Sequence, residues 1–169
     1  MKNIYLVGFM GTGKTAVSLE LSNQTSRKRL DLDNIIEALE GRKITQIFSE
    51  SGEPYFRKLE KKMLAEVSKE KGAIVDCGGG IVLDKDNIDL MKKTGIMVCL
   101  SASPQAILER VKDHTHRPLL NVPDPEKKIQ ELLDFRNEFY QKADFVIDTS
   151  ILTLREVVKK VLEIIKNDR

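Results

Sequence analysis

The octapeptide GFMGTGKT, which follows the apolar run 4–7 near the start of the chain, constrains the fold more than any other stretch. A plain turn needs one glycine at most, whereas this stretch has three glycines and ends in lysine and threonine. The spacing of Gly8, Gly13 and the Lys-Thr pair fits the phosphate-binding loop, or P-loop, that joins a strand to a helix. From average amino-acid usage, such a pattern arises by chance in about one per cent of chains of this length. The sequence therefore predicts a phosphate site.

Each part of the predicted P-loop suits a triphosphate. Glycines allow backbone N–H groups to point inward, and the helix that follows adds its positive N-terminal end. Lys14 adds a full charge, and the hydroxyl of Thr15 can ligate Mg²⁺. We therefore expect Mg²⁺ as a cofactor and a nucleotide bound by Gly11, Thr12, Gly13, Lys14, Thr15 and Ala16.

Short apolar runs alternate with segments of helical periodicity along the chain. The runs are rich in Ile and Val, as strands buried on both faces are, and lie at 4–7, 30–32, 73–75, 96–100 and 145–147. Helical periodicity occurs at 15–21, 56–67, 104–111, 126–140 and 154–165. This alternation predicts an α/β fold, with helices on both sides of a central, largely parallel five-stranded sheet.

Composition and charge argue against several classes of partner. The chain has 28 Lys and Arg against 26 Asp and Glu, so its charge gives no reason to expect nucleic acid or an anionic membrane. No stretch approaches the roughly 20 apolar residues that span a bilayer. The two cysteines, Cys77 and Cys99, form no CxxC pattern, and the N-terminal apolar run leads into a glycine loop rather than a cleavage site. We expect one domain over 1–169, monomeric and cytoplasmic.

A P-loop alone does not separate kinases from GTPases or ATPase motors. The NKxD sequence with which GTPases recognise their base is absent, and 169 residues are few for an oligomeric motor. A small-molecule kinase would need a second pocket that holds an acceptor hydroxyl in line with the terminal phosphate. A nucleotide-dependent switch, which needs no acceptor, is the alternative from another class.

Two carboxylates follow the second apolar run. Asp31 and Asp33 are two residues apart, so on an extended backbone both side chains would point to one face at the C-terminal end of a strand, where α/β sites open. One could serve a metal and the other a substrate. Asp33 could also cap a helix that begins near Asn34, and the two roles are compatible.

Several stretches, taken in their order and at their intervals, resemble the shikimate kinase family. These are the P-loop, DLD at 31–33, GEPYFRKLE at 52–60, CGGG at 77–80, RPLL at 117–120 and RNEFYQKAD at 136–144. The resemblance covers essentially the whole chain. It implies a P-loop fold like that of nucleoside monophosphate kinases, and ATP-dependent phosphorylation of the 3-hydroxyl of shikimate in aromatic amino acid biosynthesis. Kinases for gluconate or a nucleoside monophosphate are the rivals within the class.

The family resemblance implies roles for both carboxylates and for two arginines. Asp33 would receive the substrate hydroxyls and act as the base, while Asp31 would lie near Mg²⁺ through water. Arg57 and Arg136 would bind the shikimate carboxylate, which a planar guanidinium can hold by paired hydrogen bonds. Glu60, three residues after Arg57, would hold that arginine in place. Two solvated helix arginines are the alternative.

The glycine run and the acid before it complete the expected acceptor pocket. Gly78, Gly79 and Gly80 would let a substrate approach the backbone closely, although a tight turn without a ligand has the same composition. Asp76 departs from the family, which usually has a small or neutral residue there. A hydrophobic strand that ends in Asp also resembles a Walker B motif, so Asp76 near the water shell of Mg²⁺ is a further hypothesis.

Two other arginines are expected at the nucleotide. Arg110 matches a family arginine that lies against adenine, where a guanidinium can stack on a purine, and a solvated helix charge is the alternative. The least regular stretch, 113–126, contains three prolines and is expected to be a lid. Arg117 on this lid would close over the phosphates. The substrate-binding segment is expected at about 34–60.

Overall fold

A computed structural model describes residues 1–112 and 122–167 of the chain. Its five strands are β1 (Asn3–Val7), β2 (Arg29–Asp31), β3 (Ile74–Asp76), β4 (Gly95–Ser101) and β5 (Phe145–Asp148). The helices are α1 (Lys14–Thr25), α2 (Leu32–Glu40), α3 (Ile44–Ser51), α4 (Glu53–Val67), α5 (Lys85–Thr94), α6 (Pro104–Val111), α7 (Pro125–Tyr140) and α8 (Leu154–Asn167), with a short 3-10 helix at Ile81–Leu83. The strands form one sheet in the order β2-β3-β1-β4-β5, and every pairing is parallel. The predicted α/β fold with a parallel five-stranded sheet is therefore confirmed.

Side chains of the central strand β1 alternate between two cores. Ile4 and Leu6 point to a core shared with α1 and α8, whereas Tyr5 and Val7 point to a larger core formed with α2 to α7. This is the period of two that a strand imposes. Because both faces of the sheet are covered, the strand is apolar from Ile4 to Val7, and the three predicted layers are present.

Three helices were poorly predicted from the sequence. Helices α3 and α5 were not among the segments with helical periodicity, and α2 was expected only as a helix beginning near Asn34. Helix α3 has one fully buried residue, Ile47, and α5 has three, Asn87, Ile88 and Met91. On α3, Ile44, Ile47 and Phe48 do follow helical spacing, and this signal in the sequence was missed.

The carboxyl ends of the parallel strands position the polar residues of the chain. β1 leads into the P-loop, β2 ends at Asp31, and β3 ends at Asp76 just before the glycine run. Asp31 and Asp76 are direct partners in the register of the two strands. These groups therefore meet at one edge of the sheet, as ligand sites in open α/β sheets do. Within the two described ranges, no helix is long and apolar enough to cross a bilayer.

Candidate active site

The P-loop has a backbone that requires glycine. Gly8 has φ of 137°, and a Cβ atom there would lie 2.1 Å from the carbonyl oxygen of Leu100. No side chain can be accommodated at that distance, so β1 can pass close to β4 only with glycine at this position. Lys14 begins α1, and its ammonium donates to the carbonyl oxygens of Gly8 at 2.8 Å and Phe9 at 3.0 Å. The charge is thereby held within the loop.

Hydrogen bonds to its backbone carbonyl groups stabilise the conformation of the P-loop. The Thr12 hydroxyl is buried and donates to the carbonyl of Phe9 at 2.7 Å. The hydroxyl of Thr149 lies 3.1 Å from the Thr12 carbonyl, and Arg110 bonds to the carbonyls of Gly11 at 3.2 Å and Thr149 at 2.6 Å. The contact of Thr149 with the P-loop was not predicted, because a single threonine after a strand carries no signal of a contact with residues so far away in the chain.

Most of the predicted site residues line one cleft of about 640 Å³. The P-loop residues that line it are Gly11, Gly13, Lys14, Thr15 and Ala16, and the other predicted residues that line it are Asp31, Asp33, Arg57, Gly78, Gly79, Gly80, Arg110 and Arg136. Thr12 is buried beneath the loop and is not among the lining residues. Arg117, with most of the segment 113–126, lies outside the described residues.

The local geometry predicted for the two carboxylates of the DLD stretch was wrong. β2 ends at Asp31, and Asp33 lies in the first turn of α2 rather than on an extended strand. Asp33 does not cap the helix, contrary to the expectation from the sequence: the cap is Asp31, whose Oδ1 accepts the backbone N–H of Asn34 at 3.1 Å. Both side chains still reach the cleft, because the strand ends and the helix starts at the same edge of the sheet.

The carboxyl group of Asp33 holds a proton more tightly than an ordinary aspartate. Although water reaches this residue, partial withdrawal from solvent by the cleft walls raises its pKa from 3.8 to about 6. The charge of Asp31 adds to the rise of the pKa, and the charges of Lys14 and Arg57 oppose it. A carboxylate with such a pKa is ionised at neutral pH and is a better proton acceptor than an ordinary aspartate.

Arg57 lies between two glutamates on α4. Its Nη1 donates to Oε2 of the buried Glu60 at 2.6 Å, which is the predicted i,i+3 pair, and its Nη2 donates to Glu53 at 3.0 Å. The other oxygen of Glu60 is buried without a hydrogen-bond partner. Burial raises the pKa of Glu60 to about 7 in spite of the neighbouring Arg57 charge. Glu60 therefore orients the guanidinium from inside the protein.

The glycine run makes room for the protein's own side chains. A Cβ atom at Gly80 would lie 2.2 Å from Nη2 of Arg57, and one at Gly78 would lie 2.7 Å from Oε1 of Glu60. From the sequence, these glycines were explained by the approach of a ligand. The structure adds a second reason, because Arg57 could not lie across the run if a side chain stood at position 80.

Arg136 enters the cleft from α7 and is largely buried. Its side chain packs over the Phe9 ring, with 5.5 Å from the guanidinium carbon to the ring centroid, and its Nε has no hydrogen-bond partner. One turn later, the Tyr140 hydroxyl donates to the carbonyl of Gly79 at 2.7 Å. Burial raises the pKa of Tyr140 to about 12, so it remains a donor. Tyr140 therefore fixes the glycine run, a role that the sequence did not reveal.

Apolar side chains line another part of the cleft. The ring centroids of Phe48 on α3 and Phe56 on α4 are 4.9 Å apart. Ile44 and Met10 also line the cleft. None of these residues was singled out individually, although Ile44, Phe48 and Phe56 lie in the segment 34–60 expected to bind the substrate. An apolar residue has the same sequence pattern in a core and in a cleft wall. Together they can cover the ring of a small acceptor.

The donors near the P-loop suit a magnesium ion that arrives with phosphate oxygens. The Thr15 hydroxyl and the Asp31 carboxylate line the same cleft and are the hard oxygen ligands that Mg²⁺ prefers. Over the described ranges, no group of three His, Cys, Asp or Glu side chains is placed to hold a metal by itself. This pattern fits Mg²⁺, which is usually bound through one or two carboxylates plus substrate phosphates.

Comparisons with known proteins agree over nearly the full length. A family model described as shikimate kinase matches residues 10–166. The shikimate kinase of Thermodesulfovibrio yellowstonii is 45% identical over 163 residues, which are 96% of this chain and 94% of that protein. A structure of shikimate kinase from Acinetobacter baumannii in complex with shikimate has a TM-score of 0.94 and 36% identity, over 100% of this chain and 95% of that one. Deoxyadenosine kinase from M. mycoides, with a TM-score of 0.63 and 17% identity over 99% of this chain and 100% of that one, shares the fold.

Proposed function

Because this chain belongs to the shikimate kinase family, its reaction is the ATP-dependent phosphorylation of shikimate, and we propose the roles that its residues take in that reaction. One observation carries these roles: Lys14, Asp33, Arg57 and Arg136 line a single cleft. Phosphates and an anionic acceptor both need positive charge, and this cleft provides it for each.

The P-loop side of the cleft holds the nucleotide. Its backbone amides and the Lys14 ammonium stabilise the negative charge that develops as the bond between the β and γ phosphates breaks. Mg²⁺ bound at Thr15 and near Asp31 would add neutralisation of the phosphate oxygens. Arg110 supports the loop from its side, and its stacking on adenine remains a prediction from the sequence.

The acceptor side of the cleft holds shikimate by its carboxylate. Arg57 and Arg136 supply guanidinium groups, and the unpartnered Nε of Arg136 supports the view that this buried side chain still needs an acceptor. The backbone of Gly78, Gly79 and Gly80 borders the substrate, and the apolar wall of Phe48 and Phe56 covers its ring. Shikimate is thereby oriented with its 3-hydroxyl toward the phosphates.

Asp33 acts as the base for direct in-line transfer. The 3-hydroxyl oxygen forms a bond to the γ phosphorus, the bond from that phosphorus to the bridging oxygen breaks, and ADP leaves. The hydroxyl proton passes to the Asp33 carboxylate, whose raised pKa suits this step. Because the transition state of phosphoryl transfer is loose, positioning of the hydroxyl contributes more than basicity.

Further assignments in this proposal are supported by the sequence. Arg117, outside the described residues, closes over the phosphates as part of the lid at 113–126 and excludes water. Residues 34–60 form the substrate-binding segment. The chain acts as a single-domain monomer in the cytoplasm.

An assay of ADP release with and without shikimate tests the proposed roles together. ADP release should require both shikimate and Mg²⁺, and gluconate or a nucleoside monophosphate should not replace shikimate. The Lys14→Ala protein, prepared in the same way, controls for contaminating ATPases. Equal rates with and without shikimate, combined with stimulation by another acceptor, would contradict the proposal.

A further inference from the structure

Arg29 lies on β2, two residues before Asp31, and was not singled out by any sequence motif. Residues two apart on a strand share a face, and Asp76 on β3 is the direct register partner of Asp31. The side chains of Arg29, Asp31 and Asp76 therefore lie on one face of the sheet. Contacts with Ser18 show that α1 covers this face.

One guanidinium nitrogen joins the two carboxylates. Nη2 of Arg29 lies 2.8 Å from Oδ2 of Asp31 and 3.0 Å from Oδ2 of Asp76. The side chains of Arg29, Asp31 and Asp76 are 21%, 17% and 7% exposed, so the interaction is shielded from water. Two carboxylate oxygens that converge on one point repel each other, and Arg29 supplies the positive charge at that point.

Arg29 also reaches the helix that carries the P-loop threonine. Its Nε donates to the hydroxyl of Ser18 at 2.7 Å, and that hydroxyl lies 2.9 Å from the carbonyl of Thr15. A hydroxyl has one proton, and the Thr15 carbonyl is nearer than Asp76, which lies 3.4 Å away. Arg29 is therefore connected to all three elements that border the expected metal position: α1, β2 and β3.

Asp31 and Asp76 line the cleft, whereas Arg29 is not among its lining residues. From its place behind them, the guanidinium occupies the point that a cation bound by both carboxylates would take. A divalent cation without nucleotide would have to compete with a charge that is part of the chain. A cation that arrives with ATP brings phosphate oxygens and needs fewer ligands from the protein.

We propose that Arg29 is a positioning residue for the metal side of the cleft: it fixes Asp31 and Asp76 and keeps both from binding a divalent cation that arrives without nucleotide. This inference rests on the proposed place of Mg²⁺ near Thr15 and Asp31. It also accounts for Asp76 as the second carboxylate that pairs with Arg29.

Titration of the nucleotide-free protein with Mn²⁺, followed by calorimetry, tests this proposal. Arg29→Met should bind Mn²⁺ at least about tenfold more tightly than the parent, because the two carboxylates lose their internal cation. The double variant Arg29→Met/Asp76→Asn should return to the affinity of the parent, since one of the two charges is removed. Arg29→Gln, whose amide can still donate to a carboxylate, should behave like Arg29→Met and serves if that variant does not fold.

Arg42 provides a matched control. It also pairs with two carboxylates, Glu40 and Glu50, at 28% side-chain exposure, but through two different nitrogens, Nη2 and Nη1, so the carboxylates do not converge on one point as those at Arg29 do. Arg42 does not line the cleft. Arg42→Met should leave Mn²⁺ affinity as in the parent. If Arg29→Met and Arg29→Gln lower the melting temperature but leave Mn²⁺ affinity unchanged, Arg29 is a structural ion pair and the proposal is wrong. The titration contains no shikimate or ATP, so a failure of the acceptor assignment would appear in the ADP-release assay instead.

Discussion

The two sides of the cleft differ in how their polar groups are satisfied. On the P-loop side, Lys14, Arg110 and Thr149 bond to backbone carbonyls of the chain itself. On the acceptor side, Glu60 Oε1 and Arg136 Nε have no partner, and these are the buried side-chain atoms of that kind within the described ranges. These polar groups of the phosphate side thus find hydrogen-bond partners within the chain, whereas the acceptor side has buried groups without partners.

The difference indicates where selectivity for the acceptor resides. A loop built from backbone amides and one lysine recognises phosphate without regard to what the phosphate will be transferred to. Buried groups that lack partners favour a ligand that supplies them and penalise one that does not. The raised pKa values of Asp33 and Glu60 belong to the same side. Variants on the two sides should therefore affect different kinetic quantities.

The largest effect is expected from Lys14→Ala on the phosphate side. kcat should fall by about a thousandfold or more, because the positive charge of Lys14 no longer stabilises the phosphoryl group that is transferred. Shikimate affinity, measured by calorimetry, should change little if the two sides are independent. Lys160→Ala, at an exposed position on α8, is the control and should leave both quantities unchanged. Comparable losses of kcat and shikimate affinity would mean that the two sides of the cleft are not independent.

Arg136→Ala should weaken shikimate binding far more than ATP binding. Loss of one charged partner of a desolvated carboxylate costs about 2–5 kcal/mol, which corresponds to about 30-fold to several thousandfold in affinity. Arg57→Ala should act in the same direction, with an added loss of stability because Glu60 would lose its buried ion-pair partner. Calorimetry on both variants, with Arg155→Ala on α8 as the control, checks this. Unchanged shikimate affinity would mean that neither arginine binds the carboxylate.

Asp33→Asn should lower kcat by about a hundredfold, since the amide has a similar shape but cannot accept the proton. Nucleotide affinity should be nearly unchanged. In the parent, kcat/KM for shikimate should fall as the pH drops through about 6, because Asp33 becomes protonated. This limb of the pH profile should be absent in the variant. A variant that loses stability while kcat holds would reduce Asp33 to a residue of the first helical turn.

The smallest effect concerns stability and Glu60. Its pKa is about 7 in the folded protein against an ordinary value of 4.5, so between these pH values the folded state keeps a proton that the unfolded state releases. The contribution of Glu60 to the free energy of unfolding therefore decreases as the pH rises from 4.5 to 7, by on the order of 2 kcal/mol.

Unfolding by urea at several pH values checks this prediction. Glu60→Gln should lose this decrease, so that the parent becomes less stable relative to the variant as the pH rises. Glu163→Gln, at an exposed position on α8, should follow the parent. Parallel curves of unfolding free energy against pH for the parent and Glu60→Gln would mean that the pKa of Glu60 is not raised in the folded protein. The acceptor side would then have its polar groups as well satisfied as the phosphate side.

The fold and much of the site could be predicted from local patterns. Five apolar runs and the P-loop spacing led to the parallel sheet and to Lys14 and Thr15, because strand burial and phosphate binding each leave a short signature in the sequence. Arg57 and Arg136, and the role of Asp33 as the base, were named through resemblance to a family, since a charged residue on a helix has no pattern that separates a ligand contact from a solvated surface.

Only the tertiary structure decided how those residues are supported. It assigned the helix cap to Asp31, placed Thr149 behind the P-loop and Tyr140 against the glycine run, and joined Arg29 to carboxylates on two strands. Each of these contacts, except the cap and the pair of Arg29 with Asp31, links residues far apart in the chain or on different elements. The sequence determines which groups are present and which local structure they favour, whereas the pairing of buried charges and carbonyls depends on distances that exist only once the sheet and helices have packed.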